Sequence, residues 1–147
     1  MIVKEVLEKS EKQKITRNIL EALPDWFGVE ESREEYIRDS IETPMVAAYE
    51  GDKAVGFICL KETGNATVEI HVMGVLKDYH RKGIGKELFK LACKKAKEIG
   101  AKKLYISAHS SKESQAAYRR LGCIEATEIN RVLAEKEPYD IQMEYVL

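Results

Sequence analysis

The stretch Val75-Leu-Lys-Asp-Tyr-His-Arg-Lys-Gly-Ile-Gly-Lys-Glu-Leu88 decides how this chain is read. It ends an apolar strand, turns through a short basic loop and opens a helix on two glycines. The first N–H groups of a helix have no partner within it and carry the positive end of the helix dipole. Glycines let an anion come close to that backbone. Arg81, Lys82 and Lys86 add positive charge around the same point. The combination suits a diphosphate, and so a nucleotide-like ligand. The two commonest phosphate loops do not fit. A dinucleotide fingerprint needs a third glycine where Leu88 stands. A nucleoside-triphosphate loop needs glycine where His80 stands, and Ser or Thr where Glu87 stands.

His80-Arg-Lys-Gly-Ile-Gly85 resembles the acyl-CoA pyrophosphate motif of the GNAT superfamily of N-acetyltransferases, Gln/Arg-x-x-Gly-x-Gly/Ala. Ala117-Tyr-Arg-Arg-Leu-Gly-Cys123 is similar to the later Phe-Tyr-x-x-x-Gly-Phe segment of that family. Two motifs in the right order are more specific than either alone. The order of strands and helices extends the match from about Met45 to the C-terminus, and the first part of the chain matches only in layout. Departures are His80 for Gln or Arg, Ala117 and Cys123 for Phe, and Ser111 and Ser114 where many members have Asn and Ala. The resemblance implies a mixed, mostly antiparallel α/β (α+β) sheet of about seven strands flanked by about four helices. It further implies a sheet splayed between its fourth and fifth strands, with acyl-CoA in the wedge.

Periodicity gives the elements on either side of the loop. Ile2 to Leu7 is a predicted strand. Glu11 to Leu23 carries Ile15, Ile19, Leu20 and Leu23 at helical spacing. Pro24-Asp-Trp-Phe-Gly28 is a turn. Glu31 to Ile41 is a second helix, with Tyr36, Ile37 and Ile41 on its thin apolar side. Met45 to Tyr49 and Ala54 to Leu60 form a hairpin through Glu50-Gly-Asp-Lys53, and Thr63-Gly-Asn65 makes the next turn. In the strand Ala66 to Val75, Val68, Ile70 and Val72 alternate with Glu69, His71 and Met73, so a period of two assigns the sets to opposite faces. Ile84, Leu88, Leu91, Ala92, Ala96 and Ile99 make one helical stripe, with Gly100 as its stop. Leu104 to Ala108 is a strand. Ser110-Ser-Lys-Glu113 is a capping box for a helix to Leu121. Ile124 to Ile129 and Tyr139 to Val146 are final strands, linked by Glu135-Lys-Glu-Pro138. Strand–helix alternation of this kind implies a mixed sheet with a ligand at strand C-terminal ends.

Composition narrows the function. The 147 residues fit one domain, 1–147, with one core. A formal charge of −1 argues against a nucleic-acid binder. No apolar run approaches the roughly 20 residues that span a bilayer. The start, Met1-Ile-Val-Lys-Glu-Val6, lacks a signal-peptide pattern, so a cytoplasmic location is expected. Cys59, Cys93 and Cys123 are far apart and in apolar settings, which suits neither disulfides nor zinc. A zinc site on His71 and His109 lacks further ligands at suitable spacing, so no metal is expected.

The resemblance implies acetyl-CoA as cosubstrate and a small-molecule or peptide amine as acceptor. A free alkylamine has a pKa near 10.4, so about one molecule in 2,500 is neutral at pH 7, a barrier of about 4.6 kcal/mol. A base must take that proton. Glu69 and His71 share a strand face and are the candidates; the other reading is the solvated face of a half-buried strand. His109 is a weaker third. Tyr118 corresponds to the general acid of the resembled motif, against a ring packed in the core. Val75 is expected to offer backbone groups to the pantetheine arm. Arg81, Lys82, Gly83, Ile84, Gly85 and Lys86 are expected to hold the diphosphate, although Lys86 also reads as a solvated helix lysine. Ser111 and Ser114 stand where members bind pantetheine, and a helix cap explains them equally. Trp26 and Phe27 line the acceptor pocket or plug the core.

Between Glu21 and Glu42 the acids Glu21, Asp25, Glu30, Glu31, Glu34, Glu35, Asp39 and Glu42 face only Arg33 and Arg38 as bases. That run is either an acidic lip for a cationic amine or a solvated helix face. Three functions compete: a direct-transfer N-acetyltransferase, a non-catalytic acyl-CoA-binding regulator on the same fold, and an unrelated nucleotide-binding or interaction domain. The failed phosphate-loop spacings and the second motif weigh against the last. By analogy with the family, a homodimer through the C-terminal strand pair is also admitted.

Overall fold

Each amphipathic segment needs a surface on which to bury its apolar side, and a sheet covered on both faces supplies them all. The computed structural model describes residues 1–108, 112–136 and 138–147, with only the backbone of Leu133 and Lys136. The strands are β1 (Ile2–Val6), β2 (Met45–Glu50), β3 (Lys53–Gly64), β4 (Thr67–Val75), β5 (Lys103–Ala108), β6 (Ile124–Glu125) and β7 (Ile141–Val146). The helices are α1 (Lys9–Glu21), α2 (Glu30–Ser40), α3 (Ile84–Glu98), α4 (Lys112–Arg120) and the short α5 (Arg131–Lys136). The strands form one sheet in the order β1-β2-β3-β4-β5-β7-β6. The β4–β5 pair is parallel and the other neighbours are antiparallel. This is the mixed, mostly antiparallel sheet the resemblance implies.

The helical stripes decide which face each helix covers. Ile84, Leu88, Phe89, Ala92 and Ala96 of α3 pack on one face with Val46, Ile58, Leu60, Val68 and Ile70. Ile15, Ile19 and Leu20 of α1, with Leu23 beyond it, pack on the other with Met45, Phe57, Cys59 and Val72. Full burial of each large apolar side chain contributes about 1.5–3 kcal/mol. A Cβ on Gly74 would lie 3.0 Å from Ile19 Cγ2 and 3.3 Å from Phe57 Cε1. The bare backbone there lets α1 close on β4.

One irregularity reorganises β4. Leu60 pairs with Ile70 and Cys59 with Val72, so His71 is an extra residue opposite β3. A bulge of this kind breaks the alternation of side chains. Val68 and Ile70 therefore face α3, whereas Val72 faces α1. The single face predicted for Val68, Ile70 and Val72 is corrected accordingly. At the same level β4 leaves β5. Their pairing runs from Thr67–Lys103 to Ile70–Ile106, yet β4 continues to Val75 and β5 to Ala108. The expected opening between the fourth and fifth strands is present.

The C-terminal region differs from its sequence reading. The strand predicted over Ile124 to Ile129 is only Ile124–Glu125, and the expected link overlaps α5. The cause is Gln142, which is buried in β7. Its side chain accepts from Asn130 N–H at 2.7 Å and donates to Asn130 O at 2.8 Å. The Tyr105 hydroxyl donates to the Glu128 carbonyl. These bonds replace a ladder and draw the segment off the sheet.

Candidate active site

The parting of β4 and β5 opens a cleft of about 1180 Å³. Its floor is β4 from Ile70 to Val75. The residues after β4 and the start of α3 form one end; α4 and the region from Leu23 to Tyr36 form the walls. Leu76 N–H donates to Val55 O at 2.8 Å. Hydrogen-bonding direction alternates along an antiparallel strand. The N–H and C=O groups of Val75 and Met73 therefore point away from β3, into the opening.

Loop geometry leaves backbone donors open at one end of the cleft. Gly83, with φ 78 and ψ 4, is the left-handed residue before α3, and Arg81 is left-handed too (φ 62). No side chain caps this helix. Its first internal bond runs from Glu87 N–H to Gly83 O at 3.2 Å, so the N–H groups of Ile84, Gly85 and Lys86 lack helical acceptors. Arg81, Gly83, Ile84, Gly85 and Lys86 line the cleft. Lys82 does not; its ammonium lies over the Tyr79 ring, 5.2 Å from the centre. His80 turns inward, where Nε2–H donates to the Val75 carbonyl at 2.6 Å. Trp26 meets the His80 ring edge-on, with ring centres 5.8 Å apart.

Two of the candidate catalytic side chains enter the cleft from opposite sides. On α4, half-buried Tyr118 directs its hydroxyl at Met73 Sδ, 4.0 Å away. Burial pushes its pKa above the ordinary phenol value, so the group is protonated at neutral pH. On β4, the bulge carries His71 into the cleft lining. His71 Nε2 lies 3.1 Å from Asp39 Oδ2, and the Tyr36 ring meets the imidazole edge-on at 5.1 Å. A carboxylate accepts from Nε2–H, which leaves Nδ1 as the proton acceptor of the neutral ring. Glu69 is buried where β4 and β5 still pair, and it does not line the cleft. Trp26 and Phe27 both line the cleft and pack on the α1-side core. Ser114 lines the α4 wall; Ser111 and His109 lie outside the described residues.

None of the eight acids between Glu21 and Glu42 lines the cleft. Glu34 takes both terminal nitrogens of Arg17, at 2.7 and 3.0 Å, and Glu21 takes one of them at 3.2 Å. Asp39 takes His71. Sequence reasoning missed Arg33 and Asp39 on α2 and Met73 on β4 and gave Tyr36 only an apolar role; the spacing along each element was visible, the position at the cleft was not. Among the described residues, no group of three or more His, Cys, Asp or Glu is placed to hold a metal.

A family model described as the acetyltransferase (GNAT) family matches residues 6–123. The chain belongs to the GNAT family. The mycothiol acetyltransferase of Corynebacterium efficiens is 32% identical over 82 residues, covering 55% of this chain and 28% of that protein. This GNAT chain thus spans little more than a quarter of that relative's length. The PaiA N-acetyltransferase of Thermoplasma acidophilum, solved with coenzyme A, has a TM-score of 0.75 at 20% identity, with full coverage of both chains. An aminoglycoside 6′-N-acetyltransferase complexed with coenzyme A has a TM-score of 0.77 at 18% identity, covering 99% of this chain and 97% of that one. At these identities the two structures share the GNAT fold with this chain.

The cysteines of this GNAT chain are poorly suited to carry an acyl group. All three are free and none lines the cleft. Burial pushes the Cys93 thiol up to about 11 and those of Cys59 and Cys123 up to about 12. Thiols held protonated are weak nucleophiles.

Proposed function

We propose that this GNAT chain, read as a single domain, is an N-acetyltransferase that moves an acetyl group from acetyl-CoA directly to a primary amine of a small molecule or peptide. The observation that carries this reading is the parting of β4 and β5 beyond Ile70, which opens onto the uncapped start of α3. The residues present fit coenzyme A. The N–H groups from Gly83 to Lys86 face a diphosphate, with Arg81 and Lys86 supplying charge and Lys82 nearby. Val75 and Met73 offer strand-edge groups to the pantetheine amides, with Ser114 across from them and Ser111 assigned to the same arm. His80 must release the Val75 carbonyl for that contact. Trp26 and Phe27 border the acceptor.

When bound, the thioester supplies the acetyl carbon that the amine attacks, forming C–N and breaking C–S. His71 accepts the amine proton at Nδ1, directly or through water, and Asp39 holds the ring in that tautomer. Of the two base candidates His71 is favoured, because Glu69 lies behind the cleft. The backbone N–H of Met73 or Val75 steadies the developing oxyanion. Tyr118 donates a hydrogen bond to the departing sulfur.

Calorimetric titration with coenzyme A, ATP and NAD, followed by thiol release from acetyl-CoA with a panel of amines, tests this. Binding restricted to coenzyme A, with release accelerated by at least one amine, is expected. Binding without any accelerated release would turn the reading to an acyl-CoA-binding regulator. No binding of coenzyme A would remove both.

A further inference from the structure

We propose that Arg33 makes the acceptor end of this cleft select amines that also carry a carboxylate, such as amino acids and short peptides. The inference rests on the acetyltransfer reading for the role of the amine, and its binding preference is measured apart from turnover. Arg33 lines the cleft from α2. One terminal nitrogen donates to the Phe27 carbonyl at 3.0 Å, which fixes the guanidinium in place. Its Nε is buried and has no hydrogen-bond partner among the described residues. A guanidinium offers five N–H donors in a rigid fork that matches a carboxylate with two parallel bonds. A buried donor without an acceptor is costly, and a carboxylate held by Arg33 removes that cost where it reaches Nε.

Two acids of the same helix make their hydrogen bonds to other partners. Glu34 turns to Arg17 and Asp39 to His71. The acids that line the cleft, Glu113 and Asp140, belong to α4 and to the segment before β7. Arg33 also stands one helical turn before Tyr36, about 5 Å along α2. The Tyr36 ring packs on His71, the proposed base. A ligand whose carboxylate meets Arg33 therefore directs its amine along the same wall towards His71. A polyamine would set positive charge against positive charge there, which opposes the cationic-amine reading of the α2 acids.

The test uses protein saturated with coenzyme A. Glycine, L-alanine, L-glutamate and glycylglycine are titrated calorimetrically against their C-terminal amides and spermidine, in wild type, Arg33→Gln and Arg33→Lys. A free acid is expected to bind about tenfold or more tighter than its amide, the size of a charge-assisted fork. The preference collapses in Arg33→Gln and falls part-way in Arg33→Lys, which keeps the charge and loses the fork. Thermal melts confirm that each variant folds, and the wild-type acid–amide comparison stands without them. Equal binding of acids and amides, tighter binding of spermidine, no binding by any acid, or an unchanged preference in Arg33→Gln overturns the proposal. Thiol release with the same panel separates the two claims. Selective binding of acids without acetylation sinks the transferase reading alone. Amides acetylated as well as acids sink the carboxylate preference alone.

Discussion

Replacing Tyr118 by Phe removes one oxygen atom and should separate catalysis from binding. The hydroxyl's contact with Met73 Sδ is long, at 4.0 Å. Its loss should therefore cost under about 1 kcal/mol of stability. The ring stays, so the wall of the cleft stays. The leaving thiolate resembles a cysteine, with a pKa near 8.5. Burial holds the Tyr118 phenol well above its ordinary value. Full proton transfer from this phenol to that thiolate is uphill, so in the proposed mechanism Tyr118 keeps its proton and donates a hydrogen bond. A hydrogen bond to a charged partner is worth about 1.5–3 kcal/mol. At 1.36 kcal/mol per decade, kcat should fall about 10- to 150-fold. Thiol release at saturating acetyl-CoA measures kcat, and calorimetry measures coenzyme A affinity, expected to change less than about threefold. A kcat loss smaller than about threefold, or an affinity loss that matches the kcat loss, would refute this reasoning and leave Tyr118 a packing residue.

Other parts of the site respond differently. Gly83→Ala forces an L residue to φ 78 with no steric contact around its Cβ, so backbone strain of roughly 1–2 kcal/mol should appear as a lower Tm and weaker coenzyme A binding; an unchanged Tm would show that the loop relaxes. Asp39→Asn should lower kcat about tenfold or more with little change in Tm or KM, since the amide no longer fixes the His71 tautomer; a kcat within about twofold of wild type would remove Asp39 as a positioning residue. Arg17 holds the Glu34 carboxyl below its ordinary pKa, so its contribution is present above the ordinary carboxylate range and is lost as pH falls through the depressed value. The Tm gap between wild type and Glu34→Gln should therefore shrink on acidification, and a gap that widens would contradict the ion pair. Cys59, fully buried with its thiol pushed up to about 12, should react with a thiol reagent at pH 8 only after unfolding; rapid native labelling of Cys59, located by peptide mapping, would disprove that burial.

The α3 stripe and the glycine loop were legible because helical spacing and the absence of side chains are local properties. The family resemblance added the splay, which no periodicity encodes. The reading of β4 failed at His71, because a period of two assumes an unbroken ladder and the extra residue is set by pairing with β3. Glu69 and His71 stood as joint candidates, and of the two His71 lines the cleft. The strand after Ile124 failed because Gln142, distant in sequence, competes for the backbone around Asn130. The charge run from Glu21 to Glu42 offered two readings, and side-chain pairing favours the one that leaves the cleft without those acids. Arg33 looked like a minor base in an acidic helix; its place at the cleft depends on how α2 docks, which spacing alone does not give.

A sheet that divides in its middle carries a hazard as well as a binding surface. The inward edge of β4 is a short template on which a stray strand from another chain would pair. The imidazole of His80 already occupies one of its rungs, and Trp26 stands beside it. Under the proposed function, the imidazole that shields this edge from mispairing is the one the pantetheine arm displaces, so edge protection and ligand entry meet at a single contact.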